Sequence, residues 1–307
     1  MADGRDEKGR TSTKYAAKKA ASERIAAQRA AQQRAERKRN LLMAGGGVLA
    51  VVVVIGGIVF AGLSTKKGTG SSDVVPASST VTQAIANVAT SSLSASPDLT
   101  KIAAPPSALT GDVLKASNGL PQVLYVGAEY CPNCAATRWP LAVALSRFGT
   151  FSGISSTYSS STDSPAHIPT LSFRNASYKS SLIDFDGKEQ VDGNNKPLQN
   201  LTTAEDALFQ KFGGATAGSA PGYPFIDFGG KWKQNGESYD SSLLSGMTPD
   251  SVASSMTDAK SKPGAAIQAS ADVFTAEICD MTGGKPTNVC TAAGVVTATA
   301  ALASLTK

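Results

Sequence analysis

The chain has 307 residues, with 29 Lys and Arg against 24 Asp and Glu, a single His and four Cys. The excess of positive charge is local: residues 1–40 hold 12 basic and 5 acidic residues, a balance of +7, and the remainder holds 17 against 19, a balance of −2. Charge therefore points to no nucleic-acid partner for the folded part.

In chain order, residues 10–39 are rich in Ala, Arg, Lys and Gln, good helix formers, with Ile25 as the only large aliphatic residue. Residues 1–40 read as a basic tail, helical or disordered, with no stripe to bury; at an inner leaflet, anionic lipid would attract it by about 1 kcal/mol per basic residue. Residues 41–63 (LLMAGGGVLAVVVVIGGIVFAGL) follow as an uncharged run. It is long enough at 1.5 Å per residue to span a hydrocarbon core of about 30 Å. Arg37, Lys38 and Arg39 on its N-terminal side orient it with the N-terminus in the cytoplasm. A cleaved signal ending near Val59 and Ala61 is the competing reading, but such signals have a short n-region and a shorter apolar core. Residues 64–100, dominated by Ser, Thr, Ala, Gly and Val, predict a flexible linker, and residues 101–307 an extracytoplasmic domain.

Within that domain, 107–118 predicts a short helix, VLYVGA (123–128) a buried strand, and Cys134 to Phe148 a helix. A strand near 154–159 precedes LSFRNASYKSSLIDFDGK (171–188), whose alternation predicts a hairpin or meander. Thr202 and Glu205 suit a capping box for a helix over about 203–212, closed by Gly213 and Gly214. GYPFIDFGGKW (222–232) reads as a strand entered through Pro224, with a turn at Gln234-Asn235-Gly236 leading to a second. Thr248-Pro249-Asp250 opens another helix. Residues 264–307 predict a helical extension broken at 283–286.

Chemistry concentrates in YCPNCAATRWP (130–140). A CxxC between a buried strand and a helix puts Cys131 where free N–H groups and the helix dipole favour a thiolate. Cys131 would attack, Cys134 would resolve the mixed disulfide, and Pro132 suits the first helical position. The second pair, Cys279 and Cys290, flanks a turn between helices. Outside the cytoplasm it reads as a structural disulfide contributing about 2–3 kcal/mol. Zinc is the alternative for the four thiols, but ten residues separate the second pair; His167, the lone His, sits in a polar loop, and no nucleophile-elbow pattern suggests a hydrolase.

The stretch AEYCPNC (128–134) resembles the thioredoxin-like superfamily, and its Cys-Pro-x-Cys is similar to the DsbA/DsbG-like and glutaredoxin-like branches. With RWPLAVALSRFG (138–149), residues of about 110–295 resemble a family of membrane-anchored bacterial and archaeal proteins known only as a domain of unknown function. The resemblance implies an α/β (α+β), thioredoxin-like fold with an insertion at about 160–200, preceded by one transmembrane helix. It also implies a Pro facing the dithiol, where the preceding backbone pairs with substrate. Pro169 and Pro224 both qualify; Pro224, with Tyr223 before it, has the required order of a helix before and two strands and a helix after. The sequence departs from that pattern at Tyr125, where thioredoxin has a buried Asp, at Asn133, where DsbA-like proteins have His, and at Pro140, one residue later than in thioredoxin. Glu129 reads either as a proton-handling carboxylate or as a solvated strand-end residue.

Two functions follow. One is a membrane-anchored thiol-disulfide oxidoreductase, needing no cofactor, that acts on exported proteins with thiols or disulfides, contacts them through Pro132, Asn133, Tyr223 and Pro224, and is recycled by a membrane redox partner. The other is an inactive thioredoxin-like binding domain in which both cysteine pairs are structural disulfides, with 160–200 and PFIDFGGKW as its partner surface.

Overall fold

The computed structural model of the chain describes residues 73–91, 103–110, 113–214, 219–258 and 260–305, all within one compact unit, residues 68–307. The basic tail and the apolar run 41–63 lie outside them. Among the described residues no helix is long and apolar enough to cross a membrane.

The architecture is mixed α/β, organised on a five-stranded sheet in the order β2-β10-β9-β3-β8. Its inner strand β3 (Gln122–Gly127), paired on both sides, is buried along nearly its whole length, as its unbroken apolar run requires. Parallel to it lies β8 (Asp184–Glu189), with Tyr125 opposite Gly187. On its other side runs β9 (Phe225–Phe228), antiparallel, then β10 (Trp232–Asn235) and the two-residue edge strand β2 (Ser107–Ala108).

Alternation along β3 divides the core. Val123 and Tyr125 join Ile226 and Phe228 on one face; Leu124 and Val126 join Phe225 and Phe209 on the other. The first face is covered by α2 (Pro132–Ser146), buried from Cys134 to Leu145, and behind it by α5 (Lys262–Met281). The second carries α3 (Thr203–Phe212), whose Thr202–Glu205 capping box is present. Arg147 fastens the end of α2 to α5, donating to Asp272 Oδ1 at 2.7 Å and Thr275 Oγ1 at 2.6 Å. Far from being an appendage, α5 buries Val273, Phe274 and Ile278 in the main core. The short α6 (Thr287–Cys290) and α7 (Ala293–Leu305) complete the C-terminal part.

Several expectations are corrected. The predicted linker is not a tether over residues 73–91: β1 (Val75–Pro76) and α1 (Ser79–Ser91) form there. Val81, Ala84, Ile85 and Val88 make a helical stripe that is buried against α2 and α4 (Pro249–Met256). Their small size within a Ser/Thr-rich segment hid the stripe. Among the described residues of 107–118 no helix forms: Ser107 and Ala108 pair with β10, and the Leu109 amide donates to the Lys231 carbonyl at 2.7 Å; tertiary pairing outweighs local propensity.

Residues 171–188 are not a meander. β6 (Pro169–Ser172) pairs with β5 (Ser155–Tyr158), which also pairs with β1; β7 (Ser177–Lys179) pairs with β4 (Thr150–Ser152). Since β8 belongs to the main sheet, the segment inserted between α2 and that sheet spans about 150–180 and does not reach 200. The hairpin turn falls at Gly229-Gly230-Lys231, where both glycines have positive φ and the Asp227 carboxylate accepts from the Gly230 amide at 2.6 Å. Gln234 and Asn235 are strand residues.

Candidate functional site

At the end of β3 the chain turns through Ala128, Glu129 and Tyr130 into α2. Cys131 is the N-cap, in extended conformation, and Pro132 is the first helical residue. The cap role normally falls to a Ser, Thr or Asp oxygen; here Cys131 Sγ accepts from the Cys134 amide at 3.3 Å. No acidic residue occupies the first turn to oppose negative charge on the sulfur. Cys131 is 7% exposed and Cys134 is fully buried; both are free thiols.

These positions separate the two thiols chemically. The hydrogen bond to Cys134, the backbone amides of Cys134 and Asn133 and the charge of Arg138 lower the Cys131 pKa. Burial pushes that of Cys134 well up. One sulfur is thus inclined to ionise and the other to keep its proton, the division needed between an attacking and a resolving thiol.

Of the two candidate prolines, Pro224 is the one beside the pair. The Tyr223–Pro224 bond is cis, and the Cys131 thiol donates to the Tyr223 carbonyl at 3.8 Å. The Tyr223 ring stacks on Phe209 at 5.5 Å, its hydroxyl donates to Gln190 at 2.8 Å, and burial pushes its pKa up to about 12. Tyr130, Val191 and Tyr223, all half-buried, surround the cysteines. Pro132 and Asn133 are likewise half-buried beside Cys131. Pro169 instead opens β6, its carbonyl accepting from Trp139 Nε1 at 3.0 Å.

Beneath the dithiol lies a polar network that the motif does not announce. Arg138, one turn after Cys134 and fully buried, grips Glu189 through Nε at 2.8 Å and Nη2 at 2.7 Å. Nη2 also donates to the Ala128 carbonyl at 2.7 Å, and Nη1 to Thr170 Oγ1 at 3.4 Å. Removing one partner of such a pair strands a buried charge, at a cost of about 3–5 kcal/mol. An Arg in the otherwise apolar helix face RWPLAVAL was the signal available; its partner lies 51 residues away.

The solvated reading of Glu129 is corrected. It is 1% exposed, accepts from Ser172 Oγ at 2.6 Å and pairs with Arg174 at 3.4 Å, and burial raises its pKa. Tyr125 is fully buried with no hydrogen-bond partner for its hydroxyl. Gly127, two residues on and on the same face, leaves room for it: a Cβ there would collide with the Tyr125 ring and hydroxyl.

The other sequence-predicted pair lies apart from this site. Cys279 at the end of α5 and Cys290 at the end of α6 form a disulfide of 1.99 Å with Cα atoms 5.6 Å apart. His167 is exposed and stacks on Tyr158 at 4.1 Å. Among the described residues no group of three or more His, Cys, Asp and Glu is arranged to hold a metal ion.

Compared with known proteins, residues 113–280 match the model of one family, described as a domain of unknown function (DUF929). The match takes in β3, the dithiol, Pro224 and most of α5. No curated protein and no solved structure matches the chain.

Proposed function

Because the chain belongs to the DUF929 family, whose description assigns no activity, its function has to be argued from the site, and we propose that it is a thiol-disulfide oxidoreductase with a thioredoxin-like core. The observation that carries this is the environment of Cys131: an N-cap sulfur accepting from the Cys134 amide, 3.8 Å from the Tyr223 carbonyl. The thioredoxin-like reading is supported by the order of elements around it. A strand leads to CxxC and a helix, a parallel strand and a helix follow, and an antiparallel hairpin entered through a cis Pro precedes further helices.

In the reductive direction the Cys131 thiolate attacks one sulfur of a substrate disulfide. The Cys131–substrate S–S bond forms, the substrate disulfide breaks, and its other sulfur leaves as a thiolate that takes a proton. Cys134 then gives up its proton and attacks Cys131 Sγ, forming the Cys131–Cys134 disulfide and releasing the second substrate thiol. Two electrons pass from the pair to the substrate, and a dithiol donor restores the reduced pair. Run in reverse, the same steps oxidise substrate thiols; the pair's potential relative to its recycling partner sets the direction. A substrate chain lying along Tyr223 would meet the apolar rim of Tyr130 and Val191 beside Cys131.

The apolar run 41–63 and its basic flank support a single-pass anchor with the domain on the extracytoplasmic side. Exported proteins are then the substrates, a membrane redox protein the recycling partner, and anionic lipid the surface met by the basic tail. The test is the reduction potential of the Cys131–Cys134 pair in the full-length protein, equilibrated in glutathione buffers with Cys279 and Cys290 followed by mass mapping. A value between about −120 and −270 mV is expected. A value below about −300 mV, with no alkylation of Cys131, would mean a structural clip and a binding domain.

A further inference from the structure

We infer that Arg138, held on Glu189, is the positioning residue that sets how readily Cys131 ionises. This rests on the exchange reading of the site and adds the residue that tunes it. Two features of the geometry carry it. First, the Nη2 hydrogen bond to the Ala128 carbonyl ties α2 back to the turn that delivers Cys131. That same carbonyl accepts from the Cys131 amide at 3.2 Å, so one oxygen joins the guanidinium to the cap residue itself. Second, Arg138 brings a full positive charge beneath a cluster made of Ala128, Cys131 and Cys134, where little water screens it.

The charged and titratable groups around the pair come from every element packed there. Cys134 and Arg138 lie on α2, Tyr125 on β3, Glu189 at the end of β8, Glu129 and Tyr130 in the turn before α2, Arg174 after β6, Asp163 in the loop after β5, and Tyr223 before β9. Arg174 keeps a side-chain exposure of 29% and is engaged with Glu129, whereas the Arg138 side chain has none. Arg138 is also the charged side chain that acts on both sulfurs, favouring the thiolate at each. Glu189 anchors the guanidinium through Nε and through the same Nη2 that donates to the turn, and it offsets part of the charge.

A charge-setting pair and a merely structural one predict different signs. Removing the anion alone leaves the cation uncompensated, so Glu189→Gln should lower the pH at which Cys131 ionises. Removing both charges, in Arg138→Met/Glu189→Leu, should raise it by about one pH unit, and an apolar replacement of a buried pair commonly preserves the fold. The experiment follows thiolate ultraviolet absorbance against pH in the full-length protein. All variants carry Cys134→Ser, and the Cys131→Ser counterpart is subtracted from each. Opposite shifts in the two variants are the expected result. Midpoints that move the same way, or that stay within experimental error of the parent while the protein remains folded, overturn the inference. The readout does not depend on turnover: absent exchange activity in the protein that keeps both Cys131 and Cys134, together with opposite shifts in the variants, would sink the oxidoreductase reading and leave the role of Arg138 standing.

Discussion

The two cysteine pairs have the same atoms and opposite surroundings. Cys131 and Cys134 begin a helix, where amide groups point at the sulfur, and rest on a buried guanidinium. Cys279 and Cys290 end two helices, where carbonyls and no free amides gather, and are joined to each other. The lesson is that helix polarity gives two cysteine pairs opposite electrostatic surroundings before any substrate is considered. An N-terminus stabilises a thiolate, and a C-terminus disfavours one.

The strongest way to break this comparison is to change the thiols themselves. Cys131→Ser should reduce exchange with a peptide disulfide to the background of free thiols, and Cys134→Ser should accumulate mixed disulfides visible on non-reducing gels. If both variants exchange at the parent rate, the first pair is no more reactive than the second. Converting Cys279 and Cys290 together to Ser should do the reverse. We expect a loss of about 2–3 kcal/mol in denaturant unfolding with exchange rates kept; a fall in exchange without a fall in stability would make this pair a relay.

Gly127→Ala tests the space under Cys131 and Cys134. Its new methyl meets the Tyr125 ring and hydroxyl, and overpacking of this kind costs about 1–3 kcal/mol. Thermal unfolding should register that loss, and an unchanged midpoint would mean that the floor beneath the dithiol is looser than its packing indicates.

The smallest effect comes from a residue belonging to neither pair. Asp227 is buried on the α3 side of the sheet, and burial pushes its carboxyl up to about 6, above the roughly 3.9 of an unfolded Asp. The folded state then holds more protons between about pH 4 and 6, so this contribution is greatest below that window and is lost as pH rises through it. Asp227→Asn keeps an acceptor for the Gly230 amide and removes the charge. Stability should gain on the order of 1–2 kcal/mol at neutral pH, with its slope between pH 4 and 6 flattened and exchange unaltered. An unchanged slope in pH-dependent melts would place the ionised Asp227 in contact with water.

Much of this could be read from sequence because it depends on neighbours a few residues apart. The buried strand before Cys131, the N-terminal position of the CxxC, the Thr202–Glu205 capping box and the Thr248 cap are local matters of apolar runs and hydrogen bonds within one turn. The 11-residue spacing of Cys279 and Cys290 across a turn is local too. Pro224 is distinguished from Pro169 by the order of elements alone, with a helix before it and two strands and a helix after.

What only the tertiary structure decided involves partners far apart in the chain. β8 became the parallel neighbour of β3 because six residues 62 positions away pair with it, whereas its own alternation was equally suited to a meander. Helix α1 lies in a segment whose composition suggests a tether; it is stable because Val81, Ile85 and Val88 find α2 and α4 to cover them. Glu129, Arg138 and Glu189 are charged residues that a one-dimensional reading assigns to solvent. Their burial follows from meeting one another and Ser172, Thr170 and Ala128 in three dimensions, which is what makes a charge tolerable in the interior.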